Sequence, residues 1–124
     1  MSRASILIVD DEPPLLRLMK AYLERLGYDV TGCPNASQAL ACFEAPGAEF
    51  ALVVADLSLP DMSGDAMALR MAESNPALRV LLCSGYPFDI ESLPDGVKQR
   101  CAALQKPFLP NMLAKEVESL LERS

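Results

Sequence analysis

Ile6-Leu7-Ile8-Val9-Asp10-Asp11 decides how this chain folds. Four apolar residues in a row end abruptly on two acids. A second run, Phe50-Ala51-Leu52-Val53-Val54-Ala55, ends on Asp56. A third, Ala102-Ala103-Leu104, is followed within two residues by Lys106 and Pro107. Short apolar runs separated by helical patterns read as strands of a parallel sheet, buried on both faces. The carboxyl ends of such strands line the ligand crevice of an open α/β sheet. The acids after the first and third strands are therefore expected to meet the lysine after the fifth. Three crowded carboxylates repel one another and call for a cation, and ligands made only of oxygen favour Mg²⁺ over zinc or copper.

The rest of the chain fills in the alternation. After a first strand at about residues 5–9, Pro13 falls where a first helical turn tolerates it. Leu15, Met19, Tyr22, Leu23 and Leu26 then recur at helical spacing up to Gly27, a natural stop. Tyr28 to Cys33 reads as a partly polar strand at an edge. Asn35 or Ser37 can cap a second helix that ends before Pro46-Gly47. The segment from Leu59 to Gly64 is rich in turn residues, and a third helix runs from there to Ser74-Asn75-Pro76. Leu78 to Cys83 forms the fourth strand. Residues 87–100 carry Pro87, Pro94 and Gly96, so a short or irregular fourth helix is expected there. The fifth strand ends near Gln105, and Leu113, Val117, Leu120 and Leu121 mark a last amphipathic helix. Strands alternating with helices imply a parallel sheet covered on both faces.

Composition narrows the function. A chain of 124 residues is the size of one domain, expected to span 1–124. The net charge of −6 argues against nucleic acid or an anionic membrane as a direct partner. No apolar stretch is long enough to span a bilayer, and the start, Met1-Ser2-Arg3-Ala4-Ser5, lacks the features of a secretory signal. A cytoplasmic protein is expected. There is no histidine, and the four cysteines at 33, 42, 83 and 101 show no paired spacing. They read as reduced, mostly buried small hydrophobes rather than zinc ligands or redox centres.

Each polar position has an ordinary reading when taken alone. Asp10-Asp11-Glu12 suits the start of a helix, Asp56 suits a turn, Ser84 suits a strand end, and Lys106 suits a solvated surface. Their order argues otherwise. The acids follow strands one and three, the hydroxyl follows strand four and the lysine follows strand five, all at one edge of the sheet. A carboxylate can act as a nucleophile and form an aspartyl-phosphate. Phosphoryl transfer mainly needs positioning and neutralised charge on the equatorial oxygens. A divalent ion, a lysine ammonium and a serine hydroxyl would meet that need. Asp56 stands singly at the head of its loop and is the best nucleophile. Asp10 and Asp11 form the adjacent pair that a hydrated cation needs.

Ile6 to Glu12, Asp56-Leu-Ser-Leu-Pro60-Asp-Met-Ser-Gly64, Leu82-Cys-Ser84-Gly85-Tyr86 and Leu104-Gln-Lys106-Pro107-Phe108 together resemble the receiver domain of two-component response regulators. The resemblance runs over essentially the whole chain. It implies a flavodoxin-like (βα)5 fold, doubly wound, with strand order 2-1-3-4-5. It implies that Asp56 accepts a phosphoryl group from a histidine kinase or a histidine phosphotransfer protein, and that Asp10, Asp11, Asp56 and the Ser58 backbone carbonyl hold Mg²⁺. Ser84 and Lys106 would bind phosphoryl oxygens. Ser58 and Tyr86 would tune the lifetime of the product, and the Lys106–Pro107 peptide would be cis. The chain departs from the family pattern in two places. Ala103 stands where the family commonly carries a switch aromatic, and Pro94 and Gly96 break the fourth helix.

The resemblance implies a phosphoacceptor switch rather than a turnover enzyme, either stand-alone or cut from a larger protein such as a hybrid histidine kinase. A chain ending at Ser124 is expected to carry no further output module. Two alternatives stand beside it. An aspartyl-nucleophile Mg²⁺ phosphatase would want a second acid two residues after the nucleophile, where this chain has Ser58. A degenerate, phosphorylation-independent interaction module is suggested only by Ala103.

Overall fold

The computed structural model describes residues 3–123, so Met1, Ser2 and Ser124 of the expected 1–124 unit lie outside it. Strands and helices alternate: β1 (Ser5–Val9), α1 (Pro13–Arg25), β2 (Asp29–Cys33), α2 (Ala36–Glu44), β3 (Leu52–Asp56) and α3 (Gly64–Ser74). They continue as β4 (Arg79–Ser84), a single 3₁₀ turn (Ile90–Ser92), α4 (Asp95–Lys98), β5 (Cys101–Gln105) and α5 (Pro110–Glu122). All pairings in the sheet are parallel, in the order β2-β1-β3-β4-β5. This is the flavodoxin-like doubly wound sheet.

The apolar runs work because successive side chains leave opposite faces of a strand. Leu7, Val9, Val53, Ala55, Val80 and Leu82 point to one face, where they pack on α2 and α3 through Ala36, Ala39, Met67 and Met71. Ile6, Ile8, Leu52, Val54, Leu81 and Leu104 point to the other, against Met19 and Leu23 of α1 and Leu113, Val117 and Leu120 of α5. Neither face meets water, so the central strands carry no polar alternation.

Local signals fix the ends. Asn35 caps α2, its side chain accepting from the Gln38 N–H at 2.8 Å. Gly27 ends the α1 turn at a φ of 102°, in the left-handed region open to glycine. Segment 87–100 yields only the 3₁₀ turn and the four-residue α4, as its prolines and glycine imply. β3 begins at Leu52, two residues later than the apolar run; ahead of it Phe50 stacks on Phe43 with ring centroids 6.2 Å apart.

The four cysteines are free, and three of them are buried, as expected of small hydrophobes. Burial pushes the thiols of Cys33, Cys83 and Cys101 up to about 12, so all three stay protonated at neutral pH. Yet Cys33 and Cys42, unpaired by sequence spacing, come together with their sulfurs 3.7 Å apart. The pairing is tertiary: the end of β2 packs beneath α2.

One glycine fixes the loop that follows β3. The Gly64 N–H donates to the Leu57 carbonyl at 2.9 Å, and the Leu57 N–H donates to the Cys83 carbonyl at 2.9 Å. A Cβ on Gly64 would overlap the carbonyl of Asp56. Gly64→Ala is expected to cost about 1–3 kcal/mol through this overlap with backbone. Urea unfolding of the two proteins measures it, and an unchanged midpoint at constant slope would contradict this packing.

Candidate functional site

Each site residue sits at the carboxyl end of a parallel strand. Asp10 follows β1, Asp56 ends β3, Ser84 ends β4 and Lys106 follows β5. The register aligns Val9 with Ala55, Asp56 with Cys83, and Ser84 with Gln105, which brings all four to one rim. Cross-strand pairing does the assembly, although Asp10 and Lys106 are far apart along the chain.

Lys106 is the hub. Its Nζ donates to Asp10 Oδ2 at 3.0 Å, to Asp56 Oδ2 at 3.1 Å and to Glu12 Oε1 at 3.3 Å. Asp10 and Asp56 are buried, at 1% and 6% exposure, whereas Asp11 is exposed. Backbone amides hold the acids from behind: the Glu12 N–H donates to Asp10 Oδ1 at 2.9 Å, and the Ser58 N–H donates to Asp56 Oδ1 at 3.2 Å. Asp10, Asp11 and Asp56 each offer a carboxylate oxygen, and these three oxygens lie within 4.8 Å of one another. That all-oxygen set, with two acids buried and one open to solvent, suits a hard divalent cation that keeps some of its water.

The electrostatics follow from the count of charges. Burial raises the pKa of Asp10 above the usual 3.8, and the Asp56 charge adds to it, while the Glu12 amide and Lys106 oppose it. For Lys106, burial alone would lower the pKa; the hydrogen bonds and charges of Asp10 and Asp56 outweigh it and raise it above 10.5. The two directions are compatible. The lysine sees several carboxylates, and each carboxylate shares one lysine.

The remaining expected residues lie along the rim. Ser84 is buried, and its Oγ accepts the Tyr86 N–H at 3.0 Å. The Lys106 N–H donates to the Ser84 carbonyl at 2.7 Å, tying the hydroxyl to the lysine through backbone. Ser58 pairs with Ser63 in an isolated antiparallel bridge that closes the loop after Asp56. The Lys106–Pro107 peptide bond is cis. Tyr86 is 55% exposed. With Ser84, Phe88, Ala103 and Gln105 it lines a cleft of about 210 Å³ on the β4–β5 side of the pocket. Ala103 pairs with Leu82 in the sheet and leaves that cleft without a ring from β5.

Two contributors escaped the sequence. Glu12 read only as a helix-start acid, yet it reaches Lys106. Asp61 read only as a turn residue. Its carboxylate accepts the Ala36 N–H at 3.0 Å and the Ser37 N–H at 2.8 Å, roping the first turn of α2 to the loop after Asp56. These backbone hydrogen bonds lower the Asp61 pKa below 3.8. A cap supplied from a distant loop leaves no local spacing to read.

A family model described as the response regulator receiver domain matches residues 6–118. The chain belongs to this family. It is 31% identical over 117 residues to the response regulator receiver protein CpdR of Brucella abortus, covering 94% of this chain and 95% of that one. It is 30% identical over 122 residues to the sensor kinase CckA of the same organism, and there it spans only 13% of the relative's length. A CheY-like receiver domain from Methanospirillum hungatei superposes with a TM-score of 0.86 at 30% identity, covering 98% of this chain and 95% of that one. Among the described residues, no helix is long and apolar enough to cross a membrane.

Two outcomes test the electrostatics. Lys106→Ala removes the one cation that, among the described residues, bonds both buried acids, so the Mg²⁺-free protein should lose about 2 kcal/mol, the scale for hydrogen bonds to charged groups. Saturating Mg²⁺ should recover most of this loss, and an equal loss with and without the ion would contradict a shared cation role. The second concerns pH. Because the Asp10 pKa is raised, protons would compete with a cation held there as pH falls through the raised value. Mg²⁺ affinity, read by calorimetric titration from neutral pH into the acid range, should fall before the unperturbed carboxylate range is reached. A flat affinity across that window would reject Asp10 as a ligand.

Proposed function

We propose that this chain is a cytoplasmic phosphoacceptor switch in which Asp56 takes a phosphoryl group from the phosphohistidine of a histidine kinase or a histidine phosphotransfer protein. The observation that carries this reading is the Lys106 ammonium held between two buried carboxylates, 3.0 Å from Asp10 and 3.1 Å from Asp56. Two relatives support it: CpdR is a response regulator receiver protein, and CckA is a sensor kinase of which a part of this length matches.

In the transfer, a carboxylate oxygen of Asp56 attacks phosphorus, the P–N bond to the donor imidazole breaks, and an acyl phosphate forms. Asp10, Asp11, Asp56 and the Ser58 carbonyl would hold Mg²⁺, which when bound supplies neutralisation of the phosphoryl oxygens. Lys106 already bonds Asp56, so it needs only to exchange a carboxylate oxygen for a phosphoryl oxygen. Ser84 Oγ acts as an acceptor from Tyr86 and keeps its own proton for another oxygen. Ser58 and Tyr86 flank the route of an attacking water, and excluding water would prolong the acyl phosphate.

A small phosphodonor with Mg²⁺ should add one phosphoryl group, mapped by mass spectrometry to Asp56, as an acid- and base-labile product. Asp56→Asn should abolish labelling, since an amide is a poor nucleophile. Label that persists in this variant, or that maps to Ser58 or Ser84, would sink the mechanism.

The output differs from the family pattern. A ligand shifts a conformational equilibrium only through its differential interaction with the two states. Ala103 has no rotamer to switch, so one state-dependent contact is missing. Amide shifts caused by a beryllofluoride mimic should centre on residues 57–64 and 84–90. Large, concerted shifts through β5 and α5 would show that another residue relays the signal.

A further inference from the structure

Cys33 and Cys42 take no part in the acid site, yet they form the one thiol–thiol contact among the described residues. The Cys33 thiol donates toward Cys42 Sγ across 3.7 Å. Cys33 is the buried last residue of β2, and Cys42 is half-buried near the end of α2. Cys83 is buried, and Cys101 turns its thiol toward the Ala102 carbonyl. Only the first pair therefore combines a sulfur neighbour with a route to solvent.

We propose that Cys33 and Cys42 are a reversible oxidation site, forming an intramolecular disulfide when a hydroperoxide reaches Cys42. Cys42 attacks the peroxide, the O–O bond breaks, an alcohol or water departs, and Cys42 becomes a sulfenic acid. Cys33 then attacks that sulfur, the S–O bond breaks, and the hydroxyl leaves as water with the Cys33 proton. Two thiols thus lose two electrons and two hydrogens to one peroxide. The sulfurs must close from 3.7 Å to the bonded distance of about 2.05 Å. Side-chain rotation with a small shift of α2 would provide this; the fully buried residues of α2 are the small Ala36 and Ala39, with Leu40 and Phe43 packed at its margin. A dithiol reductant reverses the bond by exchange.

The bond would act where the pocket is built. The Cys33 carbonyl accepts the Asp10 N–H at 3.1 Å. The first turn of α2 is tied by Asp61 to the loop after Asp56. A disulfide would add a covalent link between these two supports of the acids.

The test treats the full chain with limiting hydrogen peroxide, then alkylates remaining thiols and maps non-reduced peptides. The expected result is a protein lighter by two hydrogens, with Cys33 joined to Cys42, Cys83 and Cys101 alkylated only after unfolding, and full reversal by a dithiol. Cys42→Ser, a change at a half-buried site, should abolish the mass loss. Mapping on the unaltered protein does not depend on that variant folding. Oxygen added at Cys42 without loss of hydrogens would overturn the proposal. A disulfide-linked dimer, a cross-link to Cys83 or Cys101, or no reaction at peroxide concentrations that oxidise a surface thiol would do the same.

Discussion

A single ammonium group holds the acid pocket together. Asp10 and Asp56 are buried side by side, and two bare carboxylates in that position would repel each other and lose their hydration. Lys106 bonds both, and its stem is carried there by β5, the strand farthest along the sheet from β1 on that side. The strand order, the crossovers and the helices on both faces all serve to bring the ends of β1, β3 and β5 to one rim. The lysine is a built-in stand-in for the charge that a divalent ion and a phosphoryl group would rearrange. In this reading, phosphorylation is an exchange of partners around Lys106 rather than the creation of a new site.

The sequence revealed the sheet because the sheet is buried on both sides. Ile6 to Val9 and Leu52 to Ala55 have no polar face to keep, so the continuous apolar run is itself the signal. The acids and the lysine were legible for a related reason: a polar residue at the end of such a run can only lie at the strand terminus. What the sequence hid is tertiary. Asp61 caps a helix that precedes it by about two dozen positions. Glu12 reaches Lys106 only because β1 and β5 end on the same rim. Cys33 and Cys42 meet because β2 and α2 pack face to face, and no cysteine spacing announces that. Each of these contacts depends on where elements pack, and periodicity carries no such information.

On the proposed function, Ala103 would leave this chain without an aromatic relay on β5. The position is half-buried in β5 and borders a cleft shared with Ser84, Tyr86 and Phe88. The 3₁₀ turn and the four-residue α4 beside it are short, so the region that would transmit a rotation has little regular structure to move as a body. On the proposed function, this acid, hydroxyl and lysine set beside a short α4 would suit a partner that reads the pocket itself.

The most direct test of the central claim is a crystal structure with Mg²⁺ and beryllofluoride. The mimic is expected on the Asp56 carboxylate, the ion among Asp10, Asp11 and Asp56, and the Lys106 ammonium moved from the Asp10 and Glu12 carboxylates to a fluoride, with the Ser84 hydroxyl donating to another. A structure in which Lys106 keeps its bonds to Asp10 and Glu12 while the mimic sits on Asp56, or in which the mimic binds elsewhere, would contradict the exchange of partners on which this account rests.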